Sequence, residues 1–564
     1  MQMSHMSRRR FIKTVAIGTT ALASVSLLTG CTPAQFLHGV ASGDPLQDRV
    51  VIWTRVTPER NKPGKKSGKE EVLWVVATDA ECKRVVGAGM ETTDASRDYT
   101  IKLDVTGLQP DTTYYYCFYS RNSRSPVGRM RTLPAGDVSE FNMAVVSCSN
   151  YPAGYFHVYG EIAARQDLHA VLHLGDYLYE YAADGYASDD AEAMGRRVSP
   201  ATELLTLNDY RTRYAQYRTD PKLQAAHRQH SFICVWDDHE ITNDTWREGA
   251  ENHNEGEGDF ETRRAQAIQA YYEWIPVREP EDGDRLSIYR QFTIGNLLDL
   301  YMLDTRVLGR DQQLDYAYYF TASGGFDAAA FQADLTDPNR TLLGLEQRGW
   351  LQGQMAQSTA TWQVLGQQVL MGRMNLPAPI ATQQVSFSQY QQLAYLAQTN
   401  PEQLTPEQWA VLQAPSIPYN LDAWDGYFVE REIVLETALS LDKNLVVLAG
   451  DTHNAWANNL RTVSGVNAGV ELATSSVSSP GLEGYFPNED PDALAAGVTQ
   501  LIEPLQYANL QHRGYLVVRF SPEQCIGEYR YVSTVKSDVY DTLEAYSQDV
   551  KTLPGAGHRV IEVL

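Results

Sequence analysis

Asp176 and Tyr179 follow the apolar run Val171-Leu172-His173-Leu174-Gly175, and a carboxylate and a phenol at that spacing, on a loop leaving a buried strand, can converge on one cation. Taken alone, the segment reads equally well as a turn aspartate beside a packed tyrosine. Other strand ends tilt the choice. Cys148 closes the run Phe141 to Ser149, although a lone cysteine there is more often structural than a ligand. Trp236-Asp237-Asp238-His239-Glu240-Ile241-Thr242-Asn243-Asp244 sets four acids, an imidazole and an amide directly after another apolar run. Asp304 and Arg306 follow Leu297 to Leu303, and Asp451 and His453 follow Leu445 to Leu448. Hard oxygen donors beside an imidazole, a thiol and a phenol are the chemistry of a centre holding more than one metal. Phenolate and thiolate stabilise a ferric ion and Asp and Asn oxygens suit calcium, while only His239 and His453, with His173 beside Asp176, sit at these motifs, too few for a typical dizinc site. A serine nucleophile at Ser147 or Ser149 is the competing chemistry, but neither has a base close by in sequence.

The elements that must position these residues fall into two kinds. From Phe36 to Leu133 short segments alternate with turn signals: Val50 to Arg55, Val72 to Ala77, Thr100 to Val105 and Thr113 to Phe118 read as strands, and Leu108 to Thr112 as a turn. A small all-β sandwich of immunoglobulin-like or fibronectin-like type fits them. The Lys-rich stretch from Asn61 to Lys69 reads as a solvated hairpin tip. Beyond the linker at Pro134-Ala135-Gly136, buried-strand runs at 141–149, 170–174, 231–236, 297–303 and 444–448 alternate with helical stretches such as Glu261 to Tyr272. That predicts an α/β or α+β sandwich domain whose ligands gather outside the carboxyl ends of its strands.

The chain opens on an address. Met1 to Arg10 is basic, Phe11 to Leu28 is apolar and small, and Leu28-Thr29-Gly30-Cys31 ends the stretch, a removable signal and not a membrane span. Ser7-Arg8-Arg9-Arg10-Phe11-Ile12-Lys13 resembles a twin-arginine export signal, and Leu28-Thr29-Gly30-Cys31 resembles a lipobox with Cys31 as the lipidated residue. These assign 1–31 to the signal, 32–135 to the β-sandwich and 136–564 to the catalytic domain. They also predict a periplasmic or cell-surface lipoprotein attached to the membrane only through Cys31. Without the four basic residues of the leader, 43 Lys and Arg face 70 Asp and Glu, which argues against a nucleic-acid-binding surface. Six cysteines without a Cys-x-x-Cys exclude a disulfide scaffold, while Cys82 and Cys117 remain open to pairing.

The strand-end motifs, together with Phe36-Leu37-His38-Gly39-Val40-Ala41-Ser42-Gly43-Asp44-Pro45 and Trp53-Thr54-Arg55-Val56, resemble the PhoD family of alkaline phosphatases, a branch of the calcineurin-like and purple-acid-phosphatase-like metallophosphoesterases. The resemblance spans most of 36–530. It implies a metallophosphoesterase domain built as a ββ sandwich flanked by helices, a ferric ion, Fe(3+), with calcium, Ca(2+), near it, and hydrolysis of phosphomonoesters, phosphodiesters or both. Carried onto this chain, Cys148, Asp176, Tyr179 and His453 would hold the iron, and Asp176, Asn243 and Asp451 the calcium side, with Asp176 bridging. Asp237 and Asp238 stay open, each as a ligand or as an acceptor behind one. The implied mechanism is attack on phosphorus by a metal-activated hydroxide, with His239 orienting substrate or protonating the leaving oxygen and Arg306 as a phosphate clamp. For Arg306 a surface salt bridge is a nearly equal reading. Asp422-Ala423-Trp424-Asp425-Gly426-Tyr427 also resembles a family motif, read as a wall of the site or as support behind its ligands.

The partners expected are small-molecule phosphate esters, with the protein a monomer. Two other readings stay in play: a phospholipase D-like phosphodiesterase, and a non-catalytic surface lipoprotein, which predicts missing ligands. Segments 312–345 and 376–420 read as insertions around the mouth, the two Pro-Glu-Gln triplets at 401–403 and 406–408 as helix starts, and Asp538 to Asp549 as a C-terminal helix.

Overall fold

The computed structural model describes residues 35–57, 68–321, 326–382 and 384–564. The leader expected at 1–31 and most of the Lys-rich loop lie outside them. Two large mixed sheets face each other. The first has ten strands in the order Glu562–Val563, Gln548–Thr552, Cys525–Val532, Arg513–Phe520, Phe141–Val146, Ala170–His173, Ser231–Cys234, Val40–Gly43, Arg49–Arg55 and Thr100–Thr106. The second has seven, in the order Arg290–Ile294, Leu298–Met302, Trp362–Gly366, Leu445–Ala449, Asn467–Ala473, Ala455–Arg461 and Leu505–Asn509.

Burial on both faces explains why the second sheet's central strands, Leu445–Ala449 above all, read as apolar runs. Leu300, Val364, Val446 and Leu448 face the first sheet and share a core with Val145, Leu172 and Ile233, whereas Tyr301, Leu365 and Val447 face the other way. There they meet helices Gly344–Gln357 and Phe428–Ser440 through Leu351, Met355, Val434 and Leu435. Helices His157–Ala164 and Pro221–Gln229 contribute Tyr159, Ile162, Leu223 and Ala226 to the first sheet's core. Strands covered on both faces have no polar side, so period-2 polarity disappears from the sequence. The expected helix at Glu261 to Tyr272 is Phe260–Trp274, started by Asp259, whose carboxylate accepts from the Thr262 amide.

The N-terminal part is joined to the rest by backbone pairing. Val40–Gly43 lies parallel to Ser231–Cys234, with Ser42 opposite Ser231, so three N-terminal strands extend the large sheet. A five-stranded sheet built on Val85–Thr93, Glu70–Ala77 and Thr113–Ser120 packs against that extension through Val50, Ile52, Val76, Tyr116 and Phe118. Cys82 and Cys117 are buried free thiols whose sulfurs lie 3.3 Å apart.

The C-terminal helix expected at Asp538 to Asp549 does not form. Glu544–Tyr546 is a single 3-10 turn, and Gln548–Thr552 is a strand antiparallel to Cys525–Val532. Val550 and Thr552 point to the core two residues apart, a strand period, and pairing along an open sheet edge outweighs a weak helical preference. No helix among the described residues is long and apolar enough to cross a membrane.

Buried neutral histidines make the fold sensitive to acid. Burial, then Arg55 and Arg218, lowers the pKa of His38 to about 3, and burial lowers that of His173 to about 3. An unfolded imidazole protonates near 6.5, so the stability these groups confer is complete above that pH. It is lost as pH falls from there towards 3, at up to about 1.4 kcal/mol per pH unit per histidine. Urea midpoints are expected to fall steeply between about pH 6.5 and pH 4; a flat profile contradicts the assignment.

Candidate functional site

Parallel pairing aligns the carboxyl ends of both sheets. His173 stands level with Val146 and Cys234, and Met302, Gly366, Leu448 and Leu472 stand level in the second sheet. A bridge between Ser147 and Ser476 ties the sheets together at that end. The chains leaving these strands deliver Cys148, Asp176, Asp237, Asp304 and Asp451 to one place.

There the candidate ligand atoms of Cys148, Asp176 and His453 lie within 4.8 Å of one another, as do those of Asp176, Asp238 and His239, and those of Asp237, Asp238 and Asp451. Asp176 belongs to the first two groups and Asp238 to the last two, so the three form one continuous centre. Tyr179 completes the first: its hydroxyl donates to Asp176 Oδ2 at 3.0 Å, lies 3.1 Å from His453 Nε2, and accepts from Ser479 Oγ at 2.7 Å. Asn243 stands at the edge, where its Nδ2 donates to Glu251 at 3.2 Å.

The loops are held in conformations they would not choose alone. Cys148 (φ 62°), Asp176 (55°), Asp451 (62°) and His453 (64°) all occupy the left-handed region. Each such residue costs of order 1–3 kcal/mol and persists only when its surroundings over-determine it. Glu240 supplies part of that: its carboxylate accepts from the amides of Asp176 (3.0 Å), Tyr177 (2.5 Å) and Asp237 (2.8 Å), binding two loops together. Gly175, at φ 106°, is required twice over, since a Cβ there would lie 2.4 Å from that of Asp237.

Both imidazoles have assigned faces. His453 Nδ1 donates to the Pro480 carbonyl at 2.7 Å, which leaves the lone pair on Nε2, the nitrogen beside Tyr179. His239 Nδ1 lies 2.7 Å from Glu180 Oε2. Burial opposes a charge on His239, but Asp238, Glu180 and Asp176 outweigh it and raise its pKa well above the usual value in the metal-free centre. Glu180 also accepts from the Asn243 amide at 2.8 Å and from Asn252 at 2.9 Å.

Arg306, expected at a phosphate, is fully buried beneath the carboxylates. Nε donates to Asp237 at 2.5 Å, Nη1 to Asp422 at 2.8 Å and Nη2 to Asp451 at 3.0 Å, so each nitrogen already has an anionic partner. Arg310 also pairs with Asp422. Neither expectation for Arg306, a phosphate clamp or a surface salt bridge, describes this placement, because its ion pairs are buried. His173 is a core residue, 2.9 Å from Tyr159 Oη, and Ser149 Oγ is buried 2.6 Å from the same hydroxyl. Glu180, Glu240 and Ser479 were not singled out from sequence. The two glutamates each follow a chosen residue directly, the one signal that could have found them.

Even with both arginines, the centre is short of positive charge. Burial first, then Asp238 and Asp237, push the Asp176 carboxyl well above the usual range despite His239, and burial raises Asp451 to about 7 despite Arg306. Burial and Asp176 likewise raise the Cys148 thiol and the Tyr179 phenol. Asp176 Oδ1 and Asp237 Oδ2 are buried without any hydrogen-bond partner. Buried carboxylate oxygens left unpaired among like charges are costly unless a cation joins them, so the residues fit a metal centre.

A profile of the family described as PhoD-like phosphatase matches residues 143–529, and that of its N-terminal domain matches 21–134. The chain belongs to the PhoD-like phosphatase family. Alkaline phosphatase D of Bacillus subtilis (strain 168) is 34% identical over 562 residues, covering 95% of this chain and 86% of the relative. The solved structure of PhoD superposes with a TM-score of 0.76 at 31% identity, covering 95% of this chain and 93% of that one. Family membership makes the protein a phosphoric ester hydrolase, and the clustered acids agree with a metal-dependent one.

Proposed function

We propose that the protein is an exported, metal-dependent phosphatase acting on phosphomonoesters, phosphodiesters or both. The observation that carries this is the continuous centre running from Cys148 through Asp176 and Asp238 to Asp451, with two buried carboxylate oxygens unpartnered. Cys148, Asp176, Tyr179 and His453 offer thiolate, carboxylate, phenolate and imidazole, a donor set that suits Fe(3+). Asp237, Asp238, Asp451 and Asn243 offer oxygens, which suit Ca(2+), with Asp176 between the two sets. Cations there supply Lewis acidity and lower the pKa of the attacking water. His239, held through Nδ1 by Glu180, is the group placed to donate a proton to the leaving oxygen. Arg306 acts as a positioning residue that fixes Asp237, Asp422 and Asp451.

The same reading takes 32–135 as an immunoglobulin-like sandwich and 136–564 as a metallophosphoesterase domain. The two facing sheets with helices outside support the latter. The twin-arginine and lipobox motifs support export and attachment through Cys31, with the protein acting as a monomer on small phosphate esters. Protein purified with its metals is expected to release nitrophenol from nitrophenyl phosphate, bis-nitrophenyl phosphate or both at mildly alkaline pH, to lose that activity on dialysis against a chelator, and to regain it with iron and calcium together. Turnover of neither ester overturns the proposal.

A further inference from the structure

Beside Asp451 and His453 the centre opens into a cavity of about 360 Å³, within the size range of ligand pockets. Asp451, Thr452 and His453 form one side of it. Phe387, Tyr419, Trp456, Leu494, Val498 and Ile502 are among its other walls. Two helices outside the sheets provide much of this surface: Phe387 begins Phe387–Thr399, and Leu494 and Val498 are the buried face of Pro491–Leu501. Among the described residues that line the cavity there is no Lys or Arg, and its sole carboxylate is Asp451, which belongs to the centre itself. A second cleft, reaching the site past Asp422, is polar and acidic, with Asp244, Glu251 and Asp315 on its walls. Tyr419 and Asn420 line both spaces and divide them.

We propose that the apolar cavity takes the alcohol side of the substrate, so that the preferred substrates are phosphate esters of a hydrophobic alcohol. This rests on the phosphate-ester reading of the adjoining centre. A group with a further negative charge finds no Lys or Arg in the cavity, and a polyol has partners only on the side of Tyr419, Asn420, Thr452 and Tyr485, its other hydroxyls meeting Phe387, Leu494, Val498 and Ile502, so both forfeit solvation on entering. An alkyl chain loses nothing of that kind and gains roughly fourfold for each methylene it buries. Alkyl chains and aryl rings offer the same chemistry here, and the test separates them.

The experiment measures kcat/KM of the metal-loaded protein on methyl, butyl, octyl, phenyl and glycerol phosphates, together with calorimetric titration of the protein with 1-octanol. Expected are a rise of at least 100-fold from methyl to octyl phosphate, glycerol phosphate remaining near methyl phosphate, and measurable heat with octanol. Gain along the chain without gain for phenyl phosphate identifies an alkyl group, and equal gain for the ring an aryl one. Val498→Gln is expected to erase most of the octyl preference while keeping methyl phosphate turnover. Should that variant fail to fold, the wild-type series and the titration still decide. Turnover of all five esters within about threefold, or no octanol binding, overturns the proposal. Turnover of none of them and of neither nitrophenyl ester, with octanol bound, overturns the phosphate-ester reading of the centre and leaves the cavity as an apolar binding site; if only the diester turns over, the same series is read on the corresponding methyl diesters.

Discussion

Asp176→Asn is expected to lower kcat/KM on any substrate of the enzyme by well over 100-fold while leaving the metal-free fold at least as stable as the wild type. Substituting a group that merely orients a ligand already costs about 10–100-fold. Asp176 is placed more centrally, shared between two of the three ligand groups, with Oδ1 unpartnered and Oδ2 accepting from Tyr179. The stability half follows from the sign of its pKa shift. Burial raises the folded-state pKa, so in the metal-free protein this carboxylate costs stability once pH rises above the ordinary carboxylate range, and a neutral amide removes that cost. Activity assays set beside urea melts of the chelated protein check both halves. Near-normal turnover, or a destabilised metal-free variant, contradicts the assignment.

Arg306→Met is expected to show the opposite signature. Its guanidinium is fully buried and holds Asp237, Asp422 and Asp451 from three loops. Removing one partner of a buried ion pair leaves uncompensated charge and costs about 3–5 kcal/mol. The urea midpoint of the chelated variant is therefore expected to fall by an amount corresponding to that range, with activity lost as well because the three carboxylates are no longer fixed. A variant as stable as the wild type would show that Arg306 is not the element joining these loops.

The contrast between these two residues marks what sequence alone can reveal. Cys148, Asp176, Asp237, Asp304 and Asp451 were legible as strand-end residues because apolar runs flag buried strands and parallel sheets gather their carboxyl ends on one side. The environment of Arg306 was not, because its partners Asp237, Asp422 and Asp451 lie 69, 116 and 145 residues away in sequence. The clamp at Glu240 was hidden for a similar reason: it depends on backbone amides of a loop 63 and 64 residues earlier, and amides carry no sequence signal. Pairing across the sequence also explains the two architectural surprises. The parallel register of Val40–Gly43 against Ser231–Cys234 extends the large sheet into the N-terminal part, and the edge of Cys525–Val532 recruits Gln548–Thr552 as a strand where a helix was expected. Local pattern predicts which segments are strands far better than it predicts their partners.

In the proposed function Tyr179 and Cys148 bind a ferric ion next to Asp176 and His453. The most direct measurement is the visible absorption spectrum of the purified protein, read with its iron and calcium content, for the wild type and for Tyr179→Phe. The account predicts bound iron and a visible charge-transfer band in the wild type, with the band lost or strongly shifted in Tyr179→Phe. An active wild type that contains no iron and shows no such band would contradict it.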